Sequence, residues 1–209
     1  MYAVISTDRI QLPPGTVVRM PGSWRDYQAI CASRGAGAVP RVKYRDGEIL
    51  LMSPMPRHGR EANLLADIVK AILDSASRNY EAFTPITMDL PEERGIEPDY
   101  CFYIDNWSAV VGQDRIQWGV QPPPDLVIEI DVTSYTAPED YVPYRVPEVW
   151  LYRAGQLRLY TLTATDYLPA AQSRYFPTVD LMALVADTLQ IAASQGSGAA
   201  IQALRQRLV

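Results

Sequence analysis

Lysine is scarce in this chain of 209 residues: among nineteen Lys and Arg, set against twenty-four Asp and Glu, only Lys43 and Lys70 are lysines. That balance argues against a protein that coats nucleic acid through a basic stripe. It does not exclude a phosphodiester substrate, because a metal-dependent nuclease needs acids at its centre and only a local basic rim. Cysteine is nearly absent as well. Cys31 and Cys101 stand alone, without the C-x-x-C spacing of a zinc or redox site and too few for a disulfide framework. No apolar run approaches the roughly 18 residues of a membrane helix. The opening, MYAVISTDRIQLPPG, has an early acid and no sustained apolar stretch after a basic start, so it does not read as a secretory signal. The expectation is a soluble, cytoplasmic protein. A Gly-rich phosphate loop and a G-x-S-x-G elbow are both missing, so P-loop hydrolysis and α/β-hydrolase acyl transfer lack their sequence features.

What the chain does have is enough apolar content, 48%, to bury one core. Residues 1–22, with Pro13, Pro14 and Pro21, read as an extended arm, 23–195 as a single domain, and 196–209 as a short terminal helix. Ser23 is placed to cap a first helix in SWRDYQAICASRG. PRVKYRDGEILLMSP offers two short strands about the Asp46-Gly47 turn signal. HGREANLLADIVKAILDSASRN carries Leu64, Leu65, Ile68, Val69, Ile72 and Leu73 on one helical stripe, which predicts a helix lying on a sheet. Strands are predicted in YEAFTPITMDL, GIEPDYCFYI and PPDLVIEIDV, and a hairpin about Ala154-Gly155. TVDLMALVADTLQIAA reads as a late amphipathic segment. The pattern is a mixed α/β domain rather than a βαβ series.

The strand PPDLVIEIDV poses a question, because it is apolar yet holds three acids. Alternation puts Asp125, Val127, Glu129 and Asp131 on one face and Leu126, Ile128, Ile130 and Val132 on the other. One reading is a solvated outer face. Another follows from Asp99, which opens a second apolar strand after Pro98: neighbouring strands about 4.8 Å apart let Asp99 and Glu129 face each other. Two carboxylates and a backbone carbonyl such as that of Ile130 make the all-oxygen set Mg²⁺ prefers. Glu61 shares the helix stripe of Leu65, Ile68 and Ile72 and so faces the sheet, either as a third acid or as a favourable charge at a helix start. His58, the only histidine, can cap the helix, contact a phosphate or serve packing alone.

Together GIEPDY, PPDLVIEIDVTS and VPEVWLY, with DGEILLMSPMPRHG before them and FPTVDLMAL after, resemble the bacterial Uma-two family over roughly residues 24 to 186. That family is assigned to the restriction-endonuclease-like nucleases of the PD-(D/E)XK class. The resemblance implies a restriction-endonuclease-like core, a central mixed β-sheet flanked by helices with additional β-hairpins, often dimeric. It further implies Mg²⁺- or Mn²⁺-dependent hydrolysis of nucleic acid, DNA foremost, with Asp99 and Glu129 as metal ligands. Glu61 then corresponds to the helix acid that many members of the class contribute.

The chain departs from that pattern where a basic group belongs. Asp131 occupies the motif's lysine position, and the lysine that many family members carry on the following segment falls on Ala137, with Arg145 at a family glycine. Three explanations compete. Lys70 or Arg60 reaches in, although Lys70 lies about 180° from Glu61 on the helix; Asp131 acts as an extra ligand or base; or activity is lost and a noncatalytic, nuclease-like binding protein remains. Tyr141 and Tyr144, in the altered segment, serve either substrate contact or aromatic packing.

Overall fold

The computed structural model describes residues 12–35, 37, 39–84, 86–131 and 136–208. Val132, expected on the core face, and residues 1–11 of the expected arm lie outside the described residues. The first of two sheets starts at its edge with β1 (Val17–Pro21), beside β3 (Glu48–Met52), β2 (Arg41–Arg45), β6 (Arg94–Ile96) and β5 (Met88–Leu90), all neighbours antiparallel. The β2–β3 turn takes positive φ at both Asp46 (50°) and Gly47 (79°), a geometry whose twist suits two strands joined by two residues. Helix α1 (Trp24–Arg34) begins with a reciprocal cap: the Ser23 hydroxyl accepts from the Asp26 N–H, and the Asp26 carboxylate accepts from the Ser23 N–H. It buries Tyr27 and Ile30 against Val42, Tyr44, Ile49 and Leu51 of this sheet.

The second sheet has the order β11 (Tyr167–Ala170), β10 (Gln156–Leu162), β9 (Glu148–Arg153), β8 (Leu126–Asp131), β7 (Tyr100–Tyr103), β4 (Glu81–Phe83). Only β8 and β9 pair in parallel, so the sheet is mixed. Helix α2 (Pro56–Ser75) lays Leu65, Ile68, Val69 and Ile72 on one face of it, against Phe102, Ile128, Ile130 and Trp150. Helices α3 (Leu181–Gln195) and α4 (Ser197–Arg207) flank α2, and Leu204 of α4 enters the same core. The other face packs Cys101, Val127, Val149 and Leu151 against Tyr141, Tyr144 and Met88. All of β8 is therefore buried. A strand covered on both faces is a near-continuous apolar run, and a carboxylate within it has to be paired.

Two strand expectations are corrected. YEAFTPITMDL and GIEPDYCFYI each supply two strands, not one: β4 and β7 belong to the second sheet, β5 and β6 to the first. Within these two stretches the chain thus changes sheets twice, and the second of these crossings runs through Glu97, Pro98 and Asp99. Proline has no N–H for a ladder, which suits Pro98 to the crossing. Within the stretch read as an arm, Val17–Pro21 is extended and laddered to β3. No helix among the described residues is long and apolar enough to cross a membrane.

Candidate active site at the junction of the sheets

Continuing the antiparallel β7–β8 register by one residue beyond Tyr100–Ile128 sets Asp99 opposite Glu129. Their relative exposures are 1% and 4%, which overturns the solvated-face reading. Each carboxylate meets a cation from the first sheet. Arg41 Nη1 stands 2.5 Å from Asp99 Oδ1, and Lys43 Nζ stands 3.3 Å from Glu129 Oε1. Arg41 and Lys43 are two apart on β2 and so share a face, which is turned onto the acid pair.

Asp99 is held on both oxygens. His58 Nε2, from the first turn of α2, donates to Oδ1 at 2.7 Å, and the Ile130 N–H donates to Oδ2 at 2.7 Å. Burial alone pushes the Asp99 carboxyl up, but the His58 hydrogen bond and the Arg41 charge outweigh it and leave the group below its ordinary range. The second ring nitrogen of His58, Nδ1, is buried and has no hydrogen-bond partner among the described residues. Glu129 Oε1 accepts from the Tyr141 hydroxyl at 2.6 Å as well as from Lys43. Burial is the main cause that raises the Glu129 carboxyl to about 7; the Asp99 charge adds to it, and Lys43 and Tyr141 oppose it. Tyr141 therefore binds an acid in addition to packing, whereas the Tyr144 hydroxyl donates to the Met88 carbonyl.

The remaining expected site residues separate. Asp125 gathers the N–H groups of Ile104, Asp105 and Asn106 on Oδ2 at 2.6, 2.9 and 3.0 Å, so it shapes the turn after β7. Asp131 accepts from Arg153, its register partner on β9, and from the Thr136 N–H. Glu61 is buried, takes a 2.7 Å hydrogen bond from Arg57 Nε and lies near Tyr152 of β9. The α2 side chain that reaches Asp99 is His58, one turn earlier. Lys70 faces Asp67 and the Tyr100 ring, and Arg60 is exposed.

Sequence reasoning missed Arg41 and Lys43. The signal was present: RVKYR alternates basic and apolar residues and holds one of the two lysines. Lys43 also lines a cavity of about 460 Å³ with Arg19, Arg45 and Arg94, where Arg45 Nη1 and Asp140 Oδ1 are 2.5 Å apart.

Asp99, Glu129 and the Ile130 carbonyl match a small hard cation in donor chemistry. The Ile130 N–H points to Asp99, and a strand residue's carbonyl points to the same side as its N–H, so the Ile130 carbonyl leaves β8 on the Asp99 side. Among the described residues, Glu129 Oε2 has no hydrogen bond, while a cation on Asp99 has to share Oδ1 with Arg41 and His58. Among the described residues no group of three or more His, Cys, Asp or Glu side chains is disposed to hold a metal, so water must complete any shell. Mg²⁺ commonly keeps several waters and one or two carboxylates.

The Uma2 family model, described as "Putative restriction endonuclease", matches residues 24–194. The chain belongs to the Uma2 family. All the groups that converge on the acid pair, from Arg41 to Tyr141, fall inside the Uma2 match. Among solved structures the chain resembles the crystal structure of "a putative nuclease belonging to DUF820" from Anabaena variabilis, with a TM-score of 0.54 and 14% identity over 90% of this chain and 100% of that one. At that identity the likeness is one of fold. No curated protein matches the chain in sequence.

Proposed function

We propose that this Uma2 chain is a divalent-metal-dependent nuclease that hydrolyses phosphodiester bonds, with DNA as the substrate class. The observation that carries the reading is the buried, facing pair Asp99 and Glu129 at the sheet junction, beside an arginine-lined cavity. The family description and the name of the Anabaena protein support the same reaction class. Asp99, Glu129 and the Ile130 carbonyl are the groups that hold Mg²⁺ or Mn²⁺. The chemistry such a cation supplies when bound is charge neutralisation at the phosphoryl oxygens during hydrolysis. His58 and the Ile130 N–H fix the orientation of Asp99, and Tyr141 fixes that of Glu129. In this reading Arg19, Arg45 and Arg94, now paired with Glu48, Asp46 and Asp140 of the same cavity, exchange those partners for backbone phosphates, contacts that position a nucleic acid without reading its sequence.

One observation favours a second, noncatalytic reading: Arg41 and Lys43 already offset the two carboxylates. Incubating wild type, Asp99→Asn and Glu129→Gln with plasmid DNA, single-stranded DNA and RNA, in Mg²⁺, Mn²⁺ or chelator, separates the two. The nuclease reading expects metal-dependent cleavage that falls more than about 100-fold in each folded variant, since even groups behind the ligands are worth 10–100-fold. A wild type that cleaves none of these substrates with either metal leaves the noncatalytic reading standing.

A further inference from the structure

We infer that Lys43 is a catalytic residue of this site, donating from its ammonium to a phosphoryl oxygen of the scissile phosphodiester. The inference rests on the nuclease reading above and assigns a residue to it. Lys43 sits in the middle of β2, where its backbone pairs with Leu50 of β3, so its stem leaves a laddered strand rather than a loop. Its ammonium lies 3.3 Å from Glu129 Oε1 and 2.9 Å from Thr136 Oγ1. An ammonium has three donors, and among the described residues the third has no protein acceptor. The side chain keeps 21% exposure and lines the cavity that also holds Arg19, Arg45 and Arg94. The same cavity holds Asp46, Glu48 and Asp140, which pair with those arginines, whereas Lys43, fixed on one side by a buried acid, keeps a donor open toward the cavity and is preorganised to meet an anion there.

Position 137 supplies a further argument. Ala137 follows Thr136, whose hydroxyl Lys43 contacts. The Lys43 amine thus reaches from another strand into the neighbourhood that residue 137 occupies. In the reaction a water oxygen forms a bond to phosphorus as the ester P–O bond breaks, and one proton of the water ends on the leaving oxygen. Lys43 stays an ammonium throughout.

The test uses the full chain as wild type, Lys43→Met, Lys43→Gln and the double variant Lys43→Met/Ala137→Lys. Cleavage, Mn²⁺ binding by calorimetry and thermal melting are measured on each. Lys43→Met is expected to lose more than about 100-fold in cleavage, the size seen when one oxyanion donor is removed. Mn²⁺ binding is expected to hold or tighten, because a positive charge beside Glu129 has gone, and Ala137→Lys is expected to recover at least tenfold of the loss. Should Lys43→Met fail to fold, Lys43→Gln, which keeps a donor for Thr136, carries the same expectation. Cleavage by a folded Lys43 variant within about twofold of wild type overturns the inference while leaving the nuclease reading intact. Loss of cleavage and Mn²⁺ binding together, without rescue, overturns it in favour of a structural role. A wild type that binds no Mn²⁺ and cleaves nothing overturns the nuclease reading itself.

Discussion

Asp125, Glu129 and Asp131 share a parity along one strand and serve three different surroundings. Asp125 organises a turn through three backbone N–H groups, and Asp131 is matched by Arg153 in register. Only Glu129 faces a second carboxylate, which is why burial and the charge of Asp99 lift it to about 7, against an ordinary 4.5. The folded state then holds a proton that the unfolded chain has released, so stability falls as pH rises from about 4.5 to about 7 and levels off above. Asp99 has the opposite sign. Its carboxyl lies below the ordinary 3.8, so its contribution is present above that pH and is lost as pH falls further, outside the Glu129 window. Glu129→Gln should remove the fall, which is on the order of 3 kcal/mol. Urea unfolding of both proteins near pH 4.5 and above pH 7 measures it; parallel profiles would contradict the assignment.

At the scale of elements, the site depends on how the first sheet is carried, because Arg41 and Lys43 act from β2. Helix α1 anchors that sheet. Arg34 at its end donates through Nη1 to Glu97 Oε2 at 2.8 Å, and Tyr27 donates to Asp89 Oδ1 at 2.7 Å. The Tyr27 ring lies so close to β6 that a Cβ at Gly95 would stand 2.2 Å from its hydroxyl oxygen. Gly95→Ala should therefore cost about 1–3 kcal/mol by overpacking, read from chemical denaturation. A change below roughly 0.5 kcal/mol, the usual size at an unconstrained surface site, would show that α1 and β6 are not held this tightly. Elements with a strong local signature were legible in the sequence: the α2 stripe, the Ser23 cap and the hairpins at Asp46-Gly47 and Ala154-Gly155 all form. The sheet changes near Pro98 were not, since periodicity along a chain does not say which sheet receives each half of an extended run. For the same reason Asp99 and Glu129 were legible as a facing pair, while Lys43 and Arg41 were not. Their contact with the acids is made across two sheets, at separations of 86 and 58 residues in the chain (129 − 43 and 99 − 41).

For the whole molecule, a mixed sheet packed on helices supplies one acid from β8 and one from the residue just before β7, and the antiparallel sheet beside it supplies the cations. The Uma2 match and the Anabaena structure bear on the fold, and the acid pair is the chemical centre we propose for it. An overall charge of −5 does not by itself exclude a nucleic-acid substrate, which needs only local basic groups at the site. The measurement that bears most directly on this account is a calorimetric titration of Mn²⁺ into wild type, Asp99→Ala and Glu129→Ala, with each variant's fold checked by circular dichroism. Saturable binding by wild type that is lost in both folded variants is the predicted result. No saturable binding by wild type, or binding unchanged in the two variants, would contradict a metal centre at the sheet junction.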